Sequence, residues 1–394
     1  MAIEERVFIA GAGPVGLVAA ANLVRHGVPV TVFEAGAALA EESRASTFHP
    51  PTLDMLEEFG AAAPLMAQGL VAPQFQYRTR AGVIATFDFA AIADATRHPF
   101  RVQSEQFKLT RILHERLCKL PDFRIEFGSR VAAVAQDNTA VHLTLDRDGS
   151  SERRSGRWLI GADGGRSDVR RALGVEFAGF TWPERFLVVS TPFDFRSAIA
   201  DLASVSYLAD PVRWHFLLEI PGLWRVMFPL AETVSDEEAS SRAFAQALMA
   251  GVVPGIAHYE IAHTTLYKVH QRVAKNFRIG RCFLAGDAAH LNNPLGGMGM
   301  NGGIHDAMNL TARLAAVWNG AVPDAELDRY ERQRRAVTLE HIETQSIANK
   351  RNLECANPGF AAELERTAAD PQRTRDYLIR VAMIASLRRA AELG

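Results

Sequence analysis

A glycine turn set between an apolar strand and an apolar helix constrains this 394-residue chain more than any other feature. The run GAGPVG at residues 11–16 follows a strand-like segment, 6–10, and opens a helical stretch, 14–25. In that context Gly11 permits the tight bend and Gly13 lets backbone approach a pyrophosphate. Gly16 lets helix and strand pack closely, and the N-terminus of a helix beginning at Pro14 faces the anion. A second buried strand over 29–33 ends in Glu34, followed by Ala35, and places a carboxylate on ribose hydroxyls at the spacing a dinucleotide site requires. The expected class is α/β, with a Rossmann-like nucleotide domain.

Two further glycine-rich patterns, GADGGRSDVRR at 161–171 and GDAAHLNNPLGGMGMNGG at 286–303, stand far from the first, so one cofactor domain is assembled from separated pieces. Residues 104–120 have helical apolar spacing with Ser104 as N-cap, and 124–127, 131–134 and 140–145 alternate as strands. Residues 158–162 return to the parallel sheet. From 180 to 265 the character changes. Strand-like runs at 185–190, 204–208, 213–219 and 224–228, separated by Pro or Gly, predict an inserted antiparallel sheet, followed by a helix over 236–249. Residues 300–318, 324–352 and the C-terminal stretch read as helical, with the charge run 332–335 on a solvated face. These readings divide the chain into a cofactor domain (1–179 and 270–330), a substrate domain (180–269) and a C-terminal helical segment (331–394).

A net charge of −2 with 22% charged residues gives no electrostatic footprint for nucleic acid. No apolar run has the length of a membrane span, and the N-terminus enters a strand at once, so a cytoplasmic protein, monomer or homodimer, is expected. Cys118, Cys282 and Cys355 form no paired motif and read as buried fillers, which excludes a dithiol redox centre. There is no second GxGxxG turn, and His258 and His263 have no metal-ligand spacing, so no metal is expected.

The three patterns, in this order over residues 6–335, resemble the single-component class A flavoprotein monooxygenases, the para-hydroxybenzoate hydroxylase family. That resemblance implies FAD as cofactor, NADH or NADPH as electron donor, and hydroxylation of a small aromatic molecule with O2 through a flavin hydroperoxide. It also implies roles. Asp163 belongs to the family's DG motif near FAD and the donor's path. Gly286 and Asp287 belong to the GD motif, with Asp287 on the ribityl chain. Pro294 lies against the isoalloxazine, and Gly299, Met300 and Asn301 hold its pyrimidine edge. Gln106 contacts the ribityl chain, Arg44 the pyrophosphate and the mobile flavin edge, and Val131 the adenine. Gly296, Gly297 and Gly299, just before a helix, leave backbone N–H groups to meet an anionic flavin. The family's usual second proline is replaced by Asn293 before Pro294. The segments GFTWPERF and GLWRVMFP are similar to the subset acting on phenols or hydroxylated pyridines.

Such chemistry needs a proton relay to ionise the substrate. His49, Tyr207 and His215 are the candidates, His49 near the mobile flavin edge and the others on substrate-sheet strands. Alternation puts Trp214, Phe216 and Leu218 on one face and His215 and Leu217 on the other, while Trp224, Val226 and Phe228 share a face that describes either an aromatic slot or a sheet core. Two alternatives stay open: a flavin-dependent reductase or oxidase of the same fold that inserts no oxygen, and a non-catalytic FAD-binding protein.

Overall fold

A computed structural model describes residues 3–41, 45–210, 214–354 and 358–394. The strand Glu4–Ala10 is buried from Val7 to Ala10, the continuous apolar run of a strand covered on both faces. It is paired in parallel with Val30–Phe33 on one side and Ser150–Gly161 on the other. Phe123–Glu126 and Cys282–Leu284 extend this parallel sheet outward. Arg130–Gln136 and Val141–Arg147 form an antiparallel branch from the long strand Ser150–Gly161. The helix Pro14–Arg25, with Pro at its first position, is buried from Gly16 to Val24 because it is packed between the sheet and the helix Met298–Trp318. Asn22 Nδ2 donates to Thr311 Oγ1 across that contact at 2.8 Å.

A second sheet of eight strands runs His290–Leu291, His263–Ala274, Phe177–Thr191, Leu223–Leu230, His215–Ile220, Val205–Leu208, Gln74–Thr79 and Gly82–Asp88. All its pairings are antiparallel except that between Val205–Leu208 and Gln74–Thr79. A small third sheet joins Thr47–Phe48, Arg101–Gln103 and Leu70–Ala72. The helices Pro358–Ala369, Pro371–Val381 and Ile384–Glu392 lay Leu364, Leu378 and Ile384 on one face of the second sheet, in a core shared with Phe75, Phe87 and Phe186. Among the described residues no helix is long and apolar enough to cross a membrane.

The structure alters several sequence expectations. The boundaries at 179/180 and 269/270 fall inside the strands Phe177–Thr191 and His263–Ala274, and the second sheet also takes two strands from 74–88. The boundary at 330/331 likewise cuts the helix Asp328–Val337. The helix expected from Ser104 starts at Gln106 with Glu105 as N-cap, because the Ser104 N–H is committed to Ser46 O, continuing the strand. The helix expected over 236–249 is two, Asp236–Ala239 and Arg242–Met249. Ser235 and Ser241 each cap a new start with a side-chain oxygen. Cys118 is exposed and Cys282 buried, while Cys355 lies outside the described residues.

The run 332–335 is a solvated face only in part: Arg332 is exposed, but Gln333 and Arg334 are turned inward. Arg334 is fully buried, and its Nε donates to Asp306 Oδ1 at 2.7 Å. Asp306 Oδ2 accepts from the Gly286 N–H at 3.1 Å and lies 2.7 Å from His290 Nε2. Burial pushes the Asp306 carboxyl up, but His290 and Arg334 outweigh it and hold it at about 2. Removing one member of such a buried pair strands the other charge in a low dielectric. Arg334→Met is expected to cost about 3–5 kcal/mol, read as a lower urea midpoint with unchanged slope.

Candidate functional site

A cavity of about 570 Å3, in the range of ligand sites (roughly 300–1,000 Å3), is lined by residues of all three sheets. At one end lies the glycine turn. Gly11 adopts φ +100°, and a Cβ there would stand 2.4 Å from Ala162 O. A Cβ on Gly16 would stand 2.0 Å from Gly11 O, so this third glycine acts on packing and does not reach the cavity. Gly13 is different. It lines the cavity, and the space a Cβ would take there is open for 4 Å. With Pro14 beside it, this turn has the open backbone at a helix N-terminus that a phosphate would fit.

Glu34 and Ala35 line the same end. Glu34 Oε2 accepts from the Ala12 N–H at 2.7 Å and Oε1 from the Gly36 N–H at 2.8 Å, so the carboxylate also fixes the turn. Val131 completes this end. Gln106, Asp163, Asp287, Pro294, Gly297, Gly299 and Met300 line the same cavity. Asp163 accepts from Ser167 Oγ and the Val169 N–H, while burial pushes its carboxyl above the ordinary range. Arg44 lies outside the described residues.

Gly286 and Asn301 are not on the cavity surface. Gly286, at φ +60°, is backed against Val15 and gives its N–H to Asp306. The Asn301 side chain, fully buried, donates to Thr47 O and Gly297 O and accepts from the His49 N–H. It therefore braces the loop that lines the site instead of reaching into it.

The relay candidates separate. His49 is fully buried and off the cavity, with Nε2 2.7 Å from Gly296 O. A carbonyl only accepts, so Nε2 carries the hydrogen. Burial, reinforced by the Arg101 charge, holds the ring's pKa well below the usual histidine range, which corrects its assignment as a relay. His215 is also corrected. Strand alternation sends Phe216 and Leu218 into the cavity and turns His215 away, where its ring lies 5.6 Å from Phe228. Tyr207 does line the cavity, stacked on Tyr77 with ring centroids 5.2 Å apart.

Alternation likewise settles the strand Leu223–Leu230. Trp224, Val226 and Phe228 form the sheet core, and Arg225 and Met227 face the cavity. Arg225 is 5% exposed and donates to Ser46 Oγ; burial lowers its pKa against the opposing charges of Tyr267 and Glu105. Arg225, Arg101 and Tyr267 are lining residues that sequence reasoning missed. Period-two reading of 224–228 on the opposite face would have found Arg225. Arg101 sits in the unassigned stretch before Ser104.

The residues present fit a flavin dinucleotide. The Gly13 cradle is open, Glu34 stands beside it, and Asn292 Oδ1, buried on a lining residue next to Gly299, lacks a hydrogen-bond partner. Carboxylates line the turn end, and the buried cations Arg101 and Arg225 stand at the other.

Two predictions follow from these placements. Gly16→Ala forces the turn away from Gly11 O and is expected to lower FAD affinity at least tenfold, measured by flavin content after gel filtration and by titration of the apoprotein. Folding stability is expected to fall with acid well above the carboxylate range. His49 and His305, both buried, are held neutral in the fold, His305 at about 3, mainly by burial. Below about pH 6.5 the unfolded chain takes up protons that the folded chain refuses. Each histidine then costs about 1.4 kcal/mol per pH unit. Urea unfolding at pH 6.5 and 5.0 checks this, and His305→Gln should reduce the slope.

Comparison with known proteins agrees with this geometry. The model of the FAD binding domain family matches residues 4–345. Para-nitrophenol 4-monooxygenase of Pseudomonas sp. (strain WBC-3) is 35% identical over 351 residues, 88% of this chain and 86% of its own. The 6-hydroxy-3-succinoylpyridine 3-monooxygenase of Pseudomonas putida (strain DSM 28022 / S16) is 33% identical over 96% of this chain and 98% of its own. The crystal structure of p-nitrophenol 4-monooxygenase from Pseudomonas putida DLL-E4 matches with a TM-score of 0.91 at 31% identity, covering 99% of each chain. The chain belongs to the FAD binding domain family and is an FAD-dependent aromatic monooxygenase that draws its electrons from NAD(P)H.

Proposed function

We propose that the substrate is a small phenol or hydroxypyridine, hydroxylated on a ring carbon activated by its ionised hydroxyl. The observation that carries this reading is the continuity of one cavity from the Gly13 cradle to a pocket whose walls include Val205, Phe216, Leu218, Met227 and Val269. The names of the two relatives, a nitrophenol and a hydroxypyridine monooxygenase, support the substrate class. Bound FAD supplies two-electron reduction by NAD(P)H and the activation of O2.

The protein's own groups do the rest. Apolar walls exclude water from the reacting atoms. The glycine loop at Gly296 and Gly297, with φ +96° and +68°, is held by His49 and Asn301 and presents backbone to the flavin ring. Arg225 and Arg101 make the ring end of the cavity positive, which favours a reduced, anionic flavin and an ionised phenol alike. Tyr207 offers a hydroxyl-bearing ring at the pocket wall. Within this reading Gly11, Gly13, Pro14, Glu34, Ala35, Gln106, Val131, Asp163, Asp287, Pro294, Gly297, Gly299 and Met300 hold FAD. Dependence on NAD(P)H supports a cytoplasmic enzyme.

Stopped-flow absorbance of the FAD-loaded protein with NADH or NADPH, combined with oxygen uptake and product mass, tests the proposal. A phenol or hydroxypyridine is expected to accelerate flavin reduction at least tenfold and to yield a product heavier by one oxygen atom. Flavin reduction with a reduced product that has gained no oxygen would overturn it in favour of a reductase.

A further inference from the structure

Five arginines are buried among the described residues, and four of them are bonded to protein oxygens. Arg78 donates to Gln76 Oε1 and to the carbonyls of Ala200 and Asp201. Arg170 donates to Ala288 O and Gly165 O, Arg225 to Ser46 Oγ, and Arg334 to Asp306 and Gly302 O. Arg101 is the exception. It is 3% exposed and lines the cavity, its Nε has no partner, and its guanidinium forms no ion pair or hydrogen bond among the described residues. Two rings flank it, Phe75 at 4.8 Å and Phe89 at 5.2 Å, and a cation–π contact offsets only part of the cost of burying a charge.

Its place is informative. The strand Arg101–Gln103 is paired with Thr47–Phe48, and Thr47 abuts Gly297 on the loop assigned to the flavin ring. On the other side Phe75 touches Tyr207, with ring centroids 6.4 Å apart. Arg101 thus stands between the cofactor loop and the aromatic pocket. Among the described residues its positive field reaches His49, Tyr77 and Tyr377, none of them an anion at neutral pH.

We infer that Arg101 is the anion-recognition residue of the substrate pocket, taking an oxyanion carried on the aromatic ring, either the phenolate oxygen itself or a ring carboxylate. The inference rests on the hydroxylase reading above and deepens it. A guanidinium left unpaired inside a low-dielectric cavity is completed by an incoming oxyanion. With a phenol, the hydroxyl proton passes to solvent, and the bound phenolate is the form whose ring carbons are nucleophilic. Arg101 thereby couples recognition to activation without itself exchanging a proton.

The test titrates FAD-loaded protein with 4-nitrophenol, whose ionised form is read from its own visible absorbance, with its methyl ether 4-nitroanisole, and with 4-nitrobenzoate. Wild type is expected to bind 4-nitrophenol as the phenolate, with the ionisation midpoint at least one pH unit below that in solution. Arg101→Met should weaken phenolate binding at least tenfold and return the midpoint to the solution value, while binding of the methyl ether changes less than twofold. Arg101→Lys should keep part of the effect. A tenfold loss confined to 4-nitrobenzoate identifies the carboxylate as the anion and supports the same residue. Flavin content and melting temperature monitor folding; the melting temperature of Arg101→Met should hold or rise, because an unpaired buried charge has been removed. Unchanged affinity of Arg101→Met for both 4-nitrophenolate and 4-nitrobenzoate, or equal losses for the anions and the methyl ether, would overturn the inference and leave the hydroxylase reading standing. If wild type holds FAD but binds none of the three compounds, the substrate reading itself fails and takes this inference with it.

Discussion

The Asp306 carboxylate, sealed from solvent inside the helix Met298–Trp318, ties together the pieces from which the site is built. Its oxygens accept from Arg334 on the helix Asp328–Val337 and from the Gly286 N–H at the start of the loop bearing Asp287, and one faces the ring of His290 on the edge strand of the second sheet. Taking two charges out of water is costly, and the attraction between Asp306 and Arg334, with the hydrogen bond from the Gly286 N–H, offsets that cost. The same helix is pressed against that loop so closely that a Cβ on Gly303 would stand 2.9 Å from Gly286 Cα. Cofactor loop, second sheet and C-terminal helices are therefore referenced to one carboxylate.

The pocket beyond the flavin loop inherits its shape from the C-terminal helices. Tyr377 brings its hydroxyl to within 3.2 Å of the Tyr77 hydroxyl, and its ring lies 4.5 Å from that of Phe87. Phe360 meets the Tyr77 ring edge-on at 5.6 Å. Because Tyr77 stacks on Tyr207 at the cavity wall, the terminal helices support the substrate side from behind. Burial pushes the Tyr377 hydroxyl up to about 12, so this wall stays neutral throughout the working range. A neutral aromatic backing leaves the arginines as the source of charge at that end.

How much of this was legible in the sequence depends on the range of the signal. The glycine turn, its flanking strands and Glu34 were readable because each carries a local rule about backbone space or pattern. The parallel sheet followed from those rules. What escaped has non-local causes. Arg334 looks like one charge in a surface run, and only its pairing with a carboxylate 28 residues away shows that it is buried. His49 has the chemistry of a relay, yet it is sealed off the cavity with its Nε2 committed to Gly296 O, 247 residues distant. Period-two alternation located the strands 215–220 and 223–230 but could not say which face meets the cavity. The sheet's neighbours decide that, and they turned His215 and Trp224 inward to a core, leaving Phe216 and Arg225 for the site.

The charge distribution along the cavity follows from the same architecture. Helix Pro14–Arg25 points its N-terminus at the turn end, which suits a phosphate, and the neighbouring carboxylates Glu34 and Asp163 are already occupied by N–H and O–H donors. Satisfied in this way, those acids fix backbone and leave the anion to the helix. At the far end the positive charge comes from side chains instead, on strands whose other faces form apolar cores. On the function proposed above, a site that holds a dinucleotide at one end and stabilises negative charge on two rings at the other would use two different devices, backbone dipoles where the anion is permanent and buried arginines where it develops.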